Sequence, residues 1–338
     1  MNIQKNVPLK PYNSFGIDVI TAFFTEIFSV SELKEALAWA NEKQIATTIL
    51  GGGSNVLFTK NYNGIIIKNS IPGITVINED SGHVYVNVGS GVVWHEFVLY
   101  CLQNNYAGVE NLALIPGCTG ASPMQNIGAY GVEIKEVFHS LNALDKFELG
   151  TQEFNTADCE FGYRESVFKN KYKDRFVITG VTYRLNKKPH FNIEYGAIRQ
   201  QLEQDGVKDL SIQAIANAVI SIRSSKLPDP KVIGNAGSFF KNPSIPLENF
   251  RELQKEFPGI AAYPNPDGTM KIAAGWMIEQ CGFKGLRRGD AGVHEKQALV
   301  LVNYGNAKGD EILELCHEIK EAVLQKFNIL LLPEVNII

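Results

Sequence analysis

Residues 115–131 read IPGCTGASPMQNIGAYG, seventeen residues without a charge, with glycine at 117, 120, 128 and 131 and proline at 116 and 123. Neither a helical nor a strand period runs through them, so the stretch predicts an ordered loop system of fixed turns. Glycine lets backbone approach a ligand and offer its N–H groups, and Ser122, Gln125 and Asn126 add side-chain donors. Ile115, Met124 and Ile127 supply apolar contact. That mixture suits a flat, partly apolar ligand carrying phosphates. A plain structural crossing between sheets accounts for the same composition equally well.

Upstream of the loop, residues 94–103 have helical spacing, and Val84-Tyr-Val-Asn-Val88 alternates like a strand. Downstream, strands are expected at 140–147 and 176–185, with Cys159-Glu-Phe-Gly-Tyr-Arg-Glu-Ser166 between them. From about Val76 to Asn186 the reading is therefore mixed α+β. Nearer the N-terminus, Ser29-Val-Ser-Glu32 reads as a capping box opening a helix with Leu33, Ala36, Leu37 and Ala40 on one face. A strand at 47–50, the turn Gly51-Gly-Gly-Ser-Asn55 and a strand at 64–67 complete a small β-α-β unit. A helix at 211–221 is ended by Lys226-Leu-Pro-Asp-Pro-Lys231, whose prolines make a domain joint. Beyond it a second α/β unit is expected, with helices near 246–257, 272–280 and 309–327 and a strand at 298–303. Ile312, Leu315, Ile319 and Val323 share one face of the last helix, so that helix packs on a sheet.

The chain of 338 residues is long enough for two or three domains with substantial cores. A net charge of −4 argues against a nucleic-acid binder relying on its overall field. Five scattered cysteines without a C-x-x-C suit reduced thiols rather than a disulfide framework. Neither a signal-type apolar core nor a bilayer-length apolar run is found, so a soluble, cytoplasmic protein with no membrane partner is expected.

Several chemistries are excluded by pattern. G-x-G-x-x-G after a strand, G-x-x-x-x-G-K-[ST] and the G-x-S-x-G elbow are all missing, and the six histidines show no paired metal-ligand spacing. Most of them read as surface or packing residues, and no metal is expected. The positive signals are weak singly. Gly51–Asn55 after a strand could hold a pyrophosphate or be a bare turn. Ser238, in Asn235-Ala-Gly-Ser-Phe-Phe-Lys-Asn242, sits beside two aromatics and a lysine, although serine after glycine is usually only a turn residue. Arg164 is more often a salt-bridging arginine than a catalytic one. Glu334, between Pro333 and Val335 in an apolar tail, would have a raised pKa if buried; an exposed terminal turn is the plainer alternative.

Taken in order, these words form one set. G-x-G-S-N, I-P-G-x-x-G-x-x-P-x-Q-N-I-G-A-Y-G, F-G-Y-R-x-S, K-L-P-D-P, G-N-A-G-S-F-F-K-N-P and P-E-V together resemble the UDP-N-acetylenolpyruvoylglucosamine reductase family of bacterial peptidoglycan synthesis. The resemblance runs from about Leu9 to the C-terminus. It implies an α+β fold: the FAD-binding fold of the vanillyl-alcohol oxidase group, made of two α+β subdomains, with a C-terminal α/β substrate-binding domain. The implied divisions are 1–75 (completed by 325–338), 76–225 and 226–324.

The resemblance also implies site roles. Gly51, Gly53, Ser54, Asn55, Pro116, Gly117, Gly120, Ser122, Gln125, Asn126, Ile127, Gly128 and Arg223 would hold FAD. Tyr195 matches the tyrosine loop of the family's larger subtype, and Lys226, Asn242, Tyr263 and Gln297 align with substrate-nucleotide contacts. Arg164, Ser238 and Glu334 would be catalytic. NADPH would reduce FAD and leave, and UDP-N-acetylglucosamine enolpyruvate would then take the hydride to give UDP-N-acetylmuramate. Charge pushed onto the substrate carboxylate would meet Arg164 and a protonated Glu334, and Ser238 would protonate the neighbouring carbon, with Lys241 or a water as relay. A monomer is expected. Gly52 and Cys118-Thr119 stand where the family varies, and Cys118 reads as a plain buried thiol, with a low-pKa, redox-sensitive thiol as the alternative. The rivals are an oxygen-using flavin oxidase on the same fold, which has no need of the Ser238 and Glu334 pair, and a flavin- or nucleotide-binding module without turnover.

Overall fold

The computed structural model describes residues 1–338. The chain forms two compact units: residues 1–7, 21–52 and 63–225, and residues 8–20, 53–62 and 226–338.

The first unit begins with a four-stranded sheet in the order Gln4–Pro8, Ile20–Ile27, Tyr62–Asn69 and Thr47–Leu50. Its last two strands are parallel, with Leu50 opposite Lys68. Helix α1 (Val30–Glu42) leads into the Thr47–Leu50 strand, giving the expected β-α-β unit. The Ser29 Oγ accepts the Glu32 N–H at 3.2 Å. The reciprocal arm differs from a strict capping box, because the Glu32 carboxylate accepts from Phe28 N, one residue earlier, at 2.6 Å. Leu33, Ala36, Leu37 and Ala40 are all buried, as their spacing predicts, and pack with Ile27, Ile65, Ile67, Leu144 and Val177.

A five-stranded antiparallel sheet follows, in the order Thr151–Asn155, Phe138–Asp145, Phe176–Asn186, His83–Gly89 and Ile74–Glu79. The strand expected at 140–147 stops at Asp145, whose carboxylate accepts the N–H groups of Phe147 and Glu148 and turns the chain. Helix α2 (Trp94–Gln103) occupies the predicted range, and the rings of Trp94, Phe97 and Tyr183 meet with centroids 4.6–5.8 Å apart. Such aromatic pairs stabilise by roughly 1 kcal/mol beyond their area. Helix α3 (Gly196–Gln204), mostly polar, was not expected. Helix α4 (Ile212–Lys226) runs five residues beyond the predicted end at Ser221 and stops before Leu227-Pro228, where proline disfavours further helix.

The second unit holds an antiparallel sheet in the order Gly234–Asn235, Leu301–Asn303, Ala291–Val293 and Arg287–Arg288. A smaller one has the order Ser244–Ile245, Met270–Ile272 and Ala262–Pro264. The helices expected here are present as α5 (Leu247–Glu256), α6 (Ala274–Gln280) and α7 (Gly309–Phe327). They combine with antiparallel strands rather than a βαβ series. The strand expected at 298–303 begins at Leu301, because Val300 N turns back to Gln297 O at 3.0 Å. Ile312, Leu315, Ile319 and Val323 of α7 are buried as their spacing requires. Asn336–Ile337 adds as a parallel strand to Val56–Leu57, tying the C-terminal tail to the segment after the glycine turn.

Candidate active site

In the first unit the 115–131 stretch is an ordered loop, as its composition predicts, with a 3-10 turn at Thr119–Ala121 and a two-residue pairing of Gly128–Ala129 with Val132–Glu133. The start of α2 staples its entry. Trp94 N donates to Gly117 O at 2.9 Å, Thr119 N to Val92 O at 2.8 Å, and the Trp94 indole N–H to Leu112 O at 2.8 Å. The two glycine turns also meet, since a Cβ at Gly52 would stand 2.9 Å from Gly117 Cα. Gly51 lies against Cys118, and Gly120 against Ser90. Burial raises the Cys118 thiol pKa more than Lys68 lowers it, so this cysteine is a plain buried thiol.

Not every polar side chain of the loop faces outward. Ser122 is buried with its hydroxyl 2.8 Å from that of Tyr183. Asn126 is also buried, donating to Gly162 O at 3.0 Å and accepting from Lys135 N at 3.1 Å. These two side chains serve the fold, so what they can offer a ligand is the path they give the backbone. Ile127 is buried, Gln125 and Gly117 are half-buried, and Pro116 is exposed.

Arg164 belongs to the same region. Its guanidinium donates to the carbonyls of Asn126 and Gly128. A Cβ at Gly128 would lie 2.8 Å from Arg164 Nη1 and 2.9 Å from Val132 O, so only glycine leaves room for this arrangement. Arg164 has φ +56° and Asn126 φ +42°, left-handed conformations that cost a non-glycine residue about 1 kcal/mol or more. Strain of this kind is retained where the surroundings hold it. Here each residue is fixed partly by the other.

Arg223 projects from α4. Its Nε is buried without a hydrogen-bond partner, and desolvation pulls its pKa below the usual arginine value, opposed by a hydrogen bond with Tyr130. Tyr130, at φ +50° in the loop, meets Tyr195 edge to face with ring centroids 5.4 Å apart. Tyr195 is 50% exposed and precedes α3. The sequence reading selected Arg223 and Tyr195 and passed over Tyr130, which joins them. Nothing in its sequence context distinguishes it from the loop's other apolar residues.

In the second unit, residues 239–241 pair with 332–334. Glu334 N donates to Phe239 O at 2.8 Å, Lys241 N donates to Leu332 O at 3.0 Å, and Phe240 stands opposite Pro333. Ser238 is exposed at the start of this ladder, and Glu334 is half-buried rather than buried at its end. The Asn55 amide donates to Glu334 O at 3.3 Å, which holds Asn55 beside the ladder. Gly53 (φ +63°) lies against Tyr12, and Ser54 is half-buried.

Three expected substrate contacts of this unit also gather. Asn242 Oδ1 accepts from Ala274 N at 2.9 Å at the start of α6, and Gln297 Oε1 lies near Gly275 there. Tyr263, 55% exposed, pairs with Lys271 on the strand leading into α6. Lys226 is exposed at the end of α4.

Residues 229–338 match the family model described as UDP-N-acetylenolpyruvoylglucosamine reductase, C-terminal domain, and residues 22–149 match an FAD binding domain. The chain is 48% identical over 340 residues to the UDP-N-acetylenolpyruvoylglucosamine reductase of Flavobacterium johnsoniae, covering 100% of both. It is 45% identical to that of Pseudomonas savastanoi, covering 100% of this chain and 99% of the relative. A crystal structure of the reductase from Thermus caldophilus superposes with a TM-score of 0.68 at 22% identity, over 100% of this chain and 99% of that one. This likeness is one of fold.

Proposed function

Given that the chain belongs to the UDP-N-acetylenolpyruvoylglucosamine reductase family, we propose that the two residue clusters described above serve that family's reaction. The enzyme is a flavin-dependent oxidoreductase that reduces UDP-N-acetylglucosamine enolpyruvate to UDP-N-acetylmuramate, a step in peptidoglycan precursor synthesis. Its fold is α+β, with an FAD-binding part of the vanillyl-alcohol oxidase group and a C-terminal substrate-binding part. NADPH as hydride donor, a monomeric and cytoplasmic protein, and the division of the flavin-binding part at 75/76 with completion by 325–338 belong to this proposal. No helix is long and apolar enough to cross a membrane.

The residues present fit FAD. Gly52 and Gly117 bring two glycine turns into backbone contact, and the buried Nε of Arg223 has no hydrogen-bond partner. A buried cation whose pKa is already lowered by desolvation gains from an anionic or carbonyl acceptor. Gly51, Gly53, Ser54, Asn55, Pro116, Gly117, Gly120, Gln125, Ile127, Gly128 and Arg223 would hold the cofactor, with Ser122 and Asn126 bracing the backbone. When bound, the flavin supplies the hydride.

The chain's own residues do the rest. Hydride arriving at the terminal carbon of the enolpyruvyl group moves charge onto the adjacent carboxylate. Arg164, steered by the Asn126 and Gly128 carbonyls, stabilises that charge as a fixed cation. A proton carried by Glu334 would let it donate a hydrogen bond to the same carboxylate. Ser238 gives its hydroxyl proton to the carbon next to the carboxylate and recovers it from water. Tyr195, Lys226, Asn242, Tyr263 and Gln297 hold the sugar nucleotide, three of them around the start of α6.

One observation carries the catalytic reading: the ladder that sets Glu334 beside the residue following Ser238. An alcohol oxidase needs no such donor pair. The test is NADPH oxidation by the purified yellow protein with and without the enolpyruvyl sugar nucleotide. Substrate-dependent oxidation with stoichiometric product is expected. Oxygen-dependent turnover indifferent to the sugar nucleotide would favour an oxidase, and bound flavin without turnover a binding module.

A further inference from the structure

His95 follows Trp94 at the start of α2, and its Nδ1 accepts the Leu114 N–H at 3.1 Å. Leu114 has φ +59°, a conformation that leucine rarely adopts, and it is the residue immediately before the 115–131 loop. Three neighbouring contacts already described fix Leu112 and Gly117 to Trp94 and Thr119 to Val92, just before α2. The Leu114 N–H is the one whose acceptor is a side chain able to change its protonation state.

We propose that His95 is a positioning residue: as a neutral acceptor it pins the left-handed Leu114 and so sets the path of the cofactor loop. An accepting Nδ1 requires the proton to sit on Nε2. A second proton would place a donor against the Leu114 donor and remove the pin. The charged groups facing the ring are Arg223 on α4 and Glu96 on its own helix. Burial of the ring, and after it the Arg223 charge, lower the His95 pKa below 6.5, while Glu96 opposes them. The surroundings thus keep the ring in its accepting form at neutral pH. This inference rests on the reading of 115–131 as the flavin loop, although the pin itself does not.

The test compares the full-length, flavin-loaded protein with His95→Asn and His95→Phe. Asparagine places Oδ1 close to where Nδ1 stands and does not titrate, whereas phenylalanine fills the space without an acceptor. Two readouts are followed: FAD dissociation by the fluorescence of released flavin from pH 8 to pH 5, and hydrogen exchange of the Leu114 amide. The wild type is expected to release flavin about tenfold more readily on acidification, with a midpoint below 6.5. His95→Asn should keep neutral-pH affinity and lose that acid step. His95→Phe should bind about tenfold more weakly at pH 8 and exchange Leu114 at least about tenfold faster. The proposal is overturned if His95→Phe protects Leu114 as the wild type does, or if the acid step persists in His95→Asn. A wild type that binds no flavin would sink the cofactor reading, while Leu114 exchange would still decide the pin.

Discussion

Glu334 donates its backbone N–H to the carbonyl of Phe239, and the 2.8 Å bond fixes the two chain segments that carry the proposed proton donor and the proposed carboxyl. Ser238 precedes Phe239 and is exposed, so its side chain adds little to the core. Ser238→Ala is therefore expected to fold normally and to keep flavin reduction by NADPH. Reoxidation by the enolpyruvyl substrate should slow on the order of a thousandfold, since a proton donor to the reacting carbon is lost. Stopped-flow absorbance separates the two half-reactions. Equal losses in both would remove Ser238 from that role.

Gly128 tests Arg164 without touching its charge. A Cβ at position 128 would meet Arg164 Nη1 at 2.8 Å and Val132 O at 2.9 Å, so the guanidinium must move. Displacing a charge-stabilising group by about 1 Å costs on the order of a hundredfold in turnover. Gly128→Ala should show that loss in kcat. Truncation of Arg164 itself should cost about a thousandfold, as for a lost oxyanion donor. Near wild-type turnover in Gly128→Ala would mean that the position of this cation is immaterial.

Arg223→Met keeps the aliphatic stem and removes a buried cation whose Nε has no partner. Hydrogen bonds to charged groups are worth about 1.5–3 kcal/mol, so flavin affinity should fall roughly ten- to a hundredfold. Tyr130 loses its partner in the same variant, while the desolvation cost of the guanidinium disappears. These effects oppose, and the flavin-free protein should melt within a few degrees of wild type. Unchanged affinity in a fluorescence titration would place Arg223 outside the cofactor site.

Long periodic elements were legible from local sequence, while short pairings were not. The spacing of Ile312, Leu315, Ile319 and Val323 marks α7, and Trp94–Gln103 needs no tertiary information. Two-residue strands such as Asn336–Ile337 and Val56–Leu57 carry no period, and their parallel pairing joins segments about 280 residues apart. The Phe239–Glu334 ladder is hidden for the same reason. Ser238 and Glu334 were identified by ordered motifs; local patterning alone left Ser238 a turn residue and Glu334 open between a buried carboxyl and an exposed terminal turn. Tyr130 and His95 were missed because their roles lie in partners supplied by the fold, Arg223 and the Leu114 N–H. Ser122 and Asn126 show the converse, with donor chemistry visible in sequence and spent inside the protein.

Acid stability gives a check that does not depend on substrate. Burial lowers the pKa values of both His95 and His294 below 6.5, so the unfolded chain takes up their protons first as pH falls. Their stabilising contributions are present above 6.5 and are lost as pH falls through the folded values, at most about 1.4 kcal/mol per pH unit for each histidine. Glu110, buried with its carboxylate accepting from Gly108 N at 2.6 Å, has the opposite sign. Burial raises its pKa above 4.5, so its contribution is present below 4.5 and lost as pH rises through the folded value. The wild type should therefore melt at a lower temperature at pH 5.5 than at pH 7.5 by calorimetry, by a few degrees at most, since 1 kcal/mol corresponds to about 2–4 °C in chains of about 150–250 residues and to less in a longer one. His95→Asn combined with His294→Asn should flatten that drop. An acid drop unchanged by the double asparagine variant would show that other groups set the acid limb.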